Sequence, residues 1–307
     1  MSAQARLPKF HRAPEAFTGR RITDRGIEII CIILRYRFIS TSTMVKVVGG
    51  NEDVTYRHLQ LLYHQGLVSR FTFPRQGNPG EFIYFLENAA ALREIAHRLA
   101  GTEIDWAQIK GNREKYADMR VTEIGDGFGK FLFIRHELMI SDFHAALEVG
   151  SRTSGGRVAL CRWMQGSALW SRVKMPSRQT FPHRPDALFT LRFPSAPEGQ
   201  QRSNFFYEAD RGTTNLTRFK QKLEAHLEYL KQGKQAALGI KRVRAVLVET
   251  ISAERGKQCM EVASGISTNE QNIAGLFWFS IQGQLNGAGL EPRWATSTDA
   301  VLRSLAD

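Results

Sequence analysis

Residues 203–250 read SNFFYEADRGTTNLTRFKQKLEAHLEYLKQGKQAALGIKRVRAVLVET: an apolar run, a basic amphipathic segment and a second apolar run. This succession narrows the fold more than any other feature of the chain. SNFFYEAD has the composition of a strand. LTRFKQKLEAHLEYLKQG repeats Leu216, Phe219, Leu223, Leu227 and Leu230 at helical spacing, which predicts one buried face. RVRAVLVET is apolar enough for a strand covered on both sides of a sheet. The flanks continue the pattern. FLFIRHELMISDFHAALEVG predicts a helix, with Leu132, Leu138, Phe143, Ala146 and Leu147 at near-helical spacing. VALCRWMQ and RPDALFTLRF predict strands, AERGKQCMEVASGI a helix and LFWFSI a last strand. In order this is α-β-β-β-α-β-α-β, a mixed α/β domain over residues 131–285.

Residues 23–100 carry a different pattern. Thr23 and Asp24 can start a helix, and Ile27, Ile30, Cys31 and Leu34 would form its buried face. Hydroxyls at Ser40 to Thr43 can cap a second, short helix with Met44, Val47 and Val48 inward, ended by Gly49-Gly50. Asn51 caps a third, in which Val54, Leu59, Leu62 and Tyr63 are expected inside and Gly66 ends the helix. LVSRFTF and EFIYFL then flank a Gly/Pro-rich loop, as in a β-hairpin. Residues 1–22 read as a flexible basic arm, 101–130 as a linker with some helix, and 286–307 as a C-terminal tail.

Charge indicates a partner. Forty-two Lys and Arg against 30 Asp and Glu give +12 and a pI near 9.9. Such a balance favours polyanions, most often nucleic acid, through release of phosphate counterions. Anionic membrane is the competing surface. The longest apolar stretch, IEIICIIL, is far below the roughly 20 residues of a membrane span. The N-terminus lacks a signal-type apolar run, and Cys31, Cys161 and Cys259 have neither knuckle nor disulfide-framework spacing. The expectation is a cytoplasmic protein with no membrane role. There is no HExxH, no G-x-x-x-x-G-K-[ST] and no G-x-S-x-G, which argues against a zinc enzyme, an ATPase and a serine hydrolase.

Carboxylates remain. Asp186 opens one predicted strand, and Glu208 and Asp210 close the next. Strand alternation aims Glu208 and Asp210 to one face, with Asp186 beside them if the strands pair. Oxygen donors of this kind suit Mg²⁺, which can activate water and stabilise charge on a phosphate. A nearby lysine would add to that stabilisation. Lys220 lies roughly 60° and Lys222 roughly 100° from the middle of the buried stripe, on opposite sides, so helical geometry separates them weakly. A purely structural reading competes: Asp210 with Gly212-Thr213 is good turn and helix-cap chemistry.

The order helix, helix, helix, hairpin, with TYRHLQLLYHQGLVSR, resembles a winged helix-turn-helix. That resemblance implies a recognition helix presenting Thr55, Tyr56, Arg57 and His58 to DNA, and a wing reaching phosphates or the minor groove through Arg70 and Arg75. A dimerisation or protein-docking module is the alternative. Pro185-Asp186 followed by Glu208-Ala209-Asp210 on the α/β frame resembles the PD-(D/E)xK nuclease superfamily. This implies metal binding by Asp186 and Glu208, with Glu137 on the preceding helix as a further acid. Asp210 stands where that superfamily has its lysine, and some members carry the lysine on the next helix. A closer resemblance, spanning most of the chain, is to the replication-relaxation family of plasmids and mobile elements. Its carriers are Arg184-Pro185-Asp186, Glu208 to Thr213, and Lys222-Leu223 with Tyr229; it favours Lys222 over Lys220. The fold expected is therefore a winged helix-turn-helix followed by a PD-(D/E)xK-like α/β domain. The function implied is DNA binding in replication, relaxation or transfer, with Mg²⁺-dependent cleavage by Asp186, Glu208, Asp210 and Lys222. Partners would be DNA and other replication or transfer proteins, a homodimer being one arrangement. The alternative is a non-catalytic DNA-binding accessory factor or repressor on a degenerate nuclease scaffold.

Overall fold

The structure, a computed structural model, describes residues 10–17, 20–73, 80–99, 101–116, 128–266, 274–283, 290–291, 293–297 and 301–306. It divides into two compact units, 1–145 and 146–307. No helix among the described residues is long and apolar enough to cross a membrane.

The first unit starts with α1 (Asp24–Tyr36), whose first turn is capped by the Thr23 hydroxyl accepting from the Gly26 N–H at 3.2 Å. Its buried residues are Ile29, Ile30, Ile32, Ile33 and Tyr36, whereas Ile27, Cys31 and Leu34 are only partly covered. Residues 29–34 are all apolar, so several helical stripes were available, and the one ending on Tyr36 faces the core. A short strand β1 (Ile39–Ser40) leads into α2 (Thr41–Val48), and α3 (Glu52–His64) follows with Asn51 as its cap. β2 (Ser69–Phe71) pairs antiparallel with β3 (Ile83–Phe85), and β3 pairs with β1, giving the order β1-β3-β2. The expected hairpin is thus the β2–β3 pair. α4 (Ala89–Glu94) and α5 (Trp106–Tyr116) come next, and Ile109 of α5 joins the core of α1, α2 and α3. The long helix α6 (Phe128–Thr153) contributes to both units.

Inside the first unit α6 is held by polar contacts. Ser141 donates to the Phe38 carbonyl at 2.7 Å, and Thr43 donates to Asp142 at 2.7 Å. His144 is buried and stacked on Tyr36, with ring centroids 4.4 Å apart.

The second unit is a six-stranded mixed sheet, β4 (Ala159–Gln165), β7 (Ala187–Arg192), β8 (Arg202–Asp210), β9 (Ala245–Thr250), β10 (Phe277–Ile281) and β11 (Ala295–Thr296), in the order β11-β10-β9-β8-β7-β4. β4, β7 and β8 run antiparallel; β8, β9 and β10 run parallel. The parallel steps are bridged by α7 (Leu216–Lys231) and α8 (Ala253–Ser264). Phe219, Leu223 and Leu227 of α7 and Cys259 and Ala263 of α8 pack on Phe206, Val246, Val248 and Phe277. All six residues of β9 are buried, Ala245 to Val248 as an apolar run requires and Glu249 with its carboxylate accepting from the Tyr207 hydroxyl at 2.6 Å. A two-stranded sheet, β5 (Ser171–Lys174) with β6 (Thr180–His183), sits between β4 and β7 in sequence and was not foreseen. The stretch expected to be a tail supplies β11 and the fully buried Trp294 and Leu305.

Burial holds the His144 imidazole well below its ordinary 6.5, and the Arg35 charge adds to the shift. The folded value lies below the unfolded one, so the stability from neutral His144 is present above pH 6.5 and lost as pH falls. His144→Phe preserves the stack on Tyr36 and removes the titration. Urea unfolding below pH 6.5 is expected to destabilise wild type relative to this variant by up to about 1.4 kcal/mol per pH unit. Parallel pH profiles would refute it.

Candidate functional site

The site lies where β8 ends and β7 begins. Antiparallel register pairs Ala187 with Tyr207, so Asp186 falls opposite Glu208. Asp186 Oδ2 accepts from the Ala209 N–H at 2.8 Å, which fixes its carboxylate at the strand end. Glu208 points to the face covered by α7, and only 2% of its side chain is exposed. Lys222 on α7 places its ammonium against Glu208 Oε2 and 3.7 Å from Asp186 Oδ2. It is also the accessible member, at 35% exposure against 13% for Asp186. One turn further on α7, His226 meets Glu208 Oε1 at 2.6 Å. Lys222, His226 and Tyr229 thus share a helical stripe beside the apolar one. Lys220 is exposed and pairs with Glu224 on its own helix.

The hydrogen bonds continue behind Glu208. His183 Nε2 lies 3.0 Å from His226 Nδ1, and His183 Nδ1 lies 3.4 Å from the Ser171 hydroxyl. His183 is stacked on Tyr229 with centroids 4.0 Å apart. Burial first, then neighbouring positive charge, lowers His226 to about 3; burial, then His226 and Lys222, lowers His183 to about 2. Both imidazoles are neutral near pH 7. One assignment of protons then satisfies the chain: Ser171 donates to His183, His183 to His226, and His226 to Glu208. Burial raises the Glu208 carboxyl well above its ordinary range; Lys222 opposes that shift and Asp186 adds to it. For Lys222, burial works against the charge, and the two carboxylates outweigh it, raising its pKa.

Asp210 faces the same side as Glu208, as alternation predicts, but its partners are others. Arg255 of α8 donates to both its oxygens, at 2.7 and 3.3 Å. The Gly212 N–H donates at 3.0 Å and the Cys259 thiol at 3.2 Å. Arg255 also donates to the Thr214 carbonyl at 2.7 Å, tying α8 to the turn before α7. Glu137 lies in the first unit, paired with Arg37 at 2.9 Å. Arg37 caps α1 in the left-handed backbone region, at φ 68°, so this pair anchors a strained helix end.

On α3, Tyr56 and Arg57 are exposed and His58 is half-buried. Thr55 is not outward: it is buried at 2%, and Val54 is exposed in its stead. Thr55, Leu59, Leu62 and Tyr63 keep the i, i+4, i+7, i+8 spacing of a buried face; Val54 does not. Arg70 lies between the rings of Tyr63 and Phe82, at 4.0 and 4.1 Å. Arg75 lies outside the described residues. An open cleft beside α3 is lined by Arg20, Val54, Arg57, His58, Gln60 and Leu61.

His183 and His226 belong to no metal-spacing motif, and the sequence alone reads them as surface or packing residues rather than ligands. The one available signal was His226 standing four residues after Lys222. Mg²⁺ accepts one or two carboxylates with water and phosphate completing its shell, and two carboxylates converge here on one ammonium. Their donor chemistry fits such an ion. No group of three His, Cys, Asp or Glu that could hold a metal occurs among the described residues.

The Replication-relaxation family signature matches residues 32–243, most of the chain. The protein belongs to the replication-relaxation family. No curated protein and no solved structure matches it. The match in this replication-relaxation protein spans α3, Asp186, Glu208 and Lys222.

Two outcomes follow. His226→Leu strands Glu208 Oε1 in the interior and is expected to cost about 1–3 kcal/mol of stability, whereas His226→Gln can still donate and should recover part of it. Equal urea midpoints for the two variants would contradict the assigned bond. Glu137→Ala is expected to lower stability by a similar 1–3 kcal/mol through loss of the Arg37 pair; an unchanged midpoint would show that the pair does not hold the α1 end.

Proposed function

We propose that this replication-relaxation protein binds DNA and acts in the replication, relaxation or transfer of plasmid or other mobile DNA, hydrolysing phosphodiesters at the end of β8. The reading takes the first unit as a winged helix-turn-helix and the second as a PD-(D/E)xK-like nuclease domain. The convergence of Asp186, Glu208 and Lys222 carries it. Net charge of +12 and family membership support DNA as the substrate.

In this reading Asp186 and Glu208 would hold Mg²⁺, which when bound supplies an activated water and charge stabilisation. The chain's own residues do the rest. The Ala209 N–H and His226 orient the two carboxylates toward one point. Lys222, half-buried and the most accessible of the three, can turn from the carboxylates to a phosphate oxygen and stabilise charge developing there. Asp210 serves this site indirectly: with Arg255 it holds the turn from which α7 delivers Lys222.

A second reading rests on the same ammonium. Lys222 already neutralises the carboxylates, as it would in a non-catalytic accessory factor or repressor that keeps the scaffold. Nicking of supercoiled plasmid with Mg²⁺ or Mn²⁺ separates the two. Asp186→Ala, Glu208→Ala and Lys222→Ala are each expected to lower the rate by about a hundredfold or more, with duplex binding kept and chelation abolishing cleavage. No cleavage by wild type, with tight salt-sensitive DNA binding, would replace the nuclease by the accessory factor.

A further inference from the structure

Residues 170–184, WSRVKMPSRQTFPHR, hold Arg172, Lys174, Arg178 and Arg184 and no carboxylate. They form the β5–β6 hairpin, in which Ser171 pairs with His183 and Lys174 with Thr180. Strand alternation sorts its side chains. Val173 and His183 are buried, at 0% and 2% exposure, while Arg172, Lys174, Arg178 and Arg184 are all exposed. Trp170, one step beyond the last pair, is 53% exposed, and the Arg184 guanidinium lies 4.7 Å from its ring centre. Among the described residues, none of the four cations pairs with a carboxylate. Free cations and an exposed indole on one surface form a stripe complementary to a polynucleotide.

The position of the hairpin is fixed. Gln232, the C-cap of α7, accepts from the Lys174 N–H at 3.3 Å and donates to the Lys174 carbonyl at 2.7 Å. His183 reaches Glu208 through His226, and Asp186 follows Arg184 by two residues. The indole end of the stripe therefore adjoins the carboxylates. At about 3.3 Å per residue, four-residue strands carry the stripe some 13 Å from that end to the tip. At the tip Arg178 has φ 66°, the left-handed region where glycine is cheapest, and closes the turn by donating to the Met175 carbonyl at 2.8 Å. A strained arginine is kept at the outermost point of a basic stripe, where glycine would fit the backbone better.

We propose that the β5–β6 hairpin is a second DNA-binding element, which holds an unpaired strand by its phosphates and stacks a base on Trp170 beside Asp186 and Glu208. The inference rests on the proposed DNA-cleaving role and deepens it: the strand presented to the carboxylates is single-stranded. An indole face can stack only a base that has left its partner, whereas the basic stripe would take any phosphate chain.

Binding without cleavage tests this. Full-length protein in EDTA is titrated by fluorescence anisotropy against labelled oligothymidylate and a blunt duplex over a range of salt. Trp170→Ala is expected to weaken oligothymidylate binding about tenfold, Trp170→Phe to stay near wild type, and duplex binding to change little in either. Arg178→Gly is expected to lower the salt slope for oligothymidylate by about 0.7, and Arg172→Ser with Lys174→Ser by about 1.4. Arg178→Gly should leave the melting temperature unchanged or raised, which separates lost binding from lost fold. Wild-type oligothymidylate affinity and salt slope in these variants would overturn the proposal. So would an equal loss on duplex from Trp170→Ala. Wild-type binding to duplex alone would defeat this inference and leave the proposed function standing; binding to neither probe would defeat both.

Discussion

Glu208 is a carboxylate placed in an interior strand of a six-stranded sheet with 2% of its side chain exposed. Taking such a group out of water costs several kcal/mol unless charge and hydrogen bonds compensate, and the surroundings can be read as that compensation. Lys222 supplies the charge and His226 a donor, one helical turn apart, so α7 must lie over the end of β8 in one rotation. His226 can donate to Glu208 only in one tautomer, which leaves its other nitrogen to accept from His183. His183 sits on β6, so the tautomer in turn fixes the hairpin. One buried carboxylate thereby ties together a sheet, a helix and an outlying hairpin.

Sheet topology explains why those groups meet at this edge. β8 has an antiparallel neighbour, β7, on one side and a parallel neighbour, β9, on the other. At its carboxyl end the start of β7 brings Asp186, while the helices that bridge the parallel strands bring Lys222 and Arg255. A wholly antiparallel sheet would return by short turns and bring no helix over this face. Crossovers place helices on the faces of parallel strands, and ligand sites in such sheets gather outside the carboxyl ends.

Much of this frame was legible in the sequence, and the reasons differ by element. β9 and α7 were readable because burial on two faces and burial on one leave distinct periods. β5 and β6 were not, since four-residue strands in a Ser-, Arg- and Pro-containing stretch carry too few apolar positions to show an alternation. Asp186 and Glu208 were found through strand pairing and resemblance, and Lys222 through resemblance alone; the structure adds the physical reason, since Lys220 faces outward. Thr55 was misplaced because a β-branched Val looked the better core residue, whereas helical spacing to Leu59, Leu62 and Tyr63 decides which of two neighbours turns inward. His183 and His226 could not be found by motif, because their role depends on a helix and a hairpin meeting at one carboxylate.

The charges on this face also bear on where an ammonium can sit. A lysine at position 210 would extend from the strand toward the same face as Glu208. This chain has an anion there and balances it with Arg255, while α7 carries the ammonium to Glu208. When Glu208 is ionised and both imidazoles are neutral, Asp186, Glu208, Asp210, Lys222 and Arg255 sum to three negative charges against two positive. A face left one charge negative repels a phosphodiester at short range, where screening is weakest. In the proposed function the deficit is the opening for a divalent cation, and the approach of DNA must be driven from elsewhere. Arg172, Lys174, Arg178 and Arg184 lie on the hairpin that the histidines tie to Glu208. The network that stabilises a buried carboxylate is thus the one that ties a cation-bearing hairpin to it.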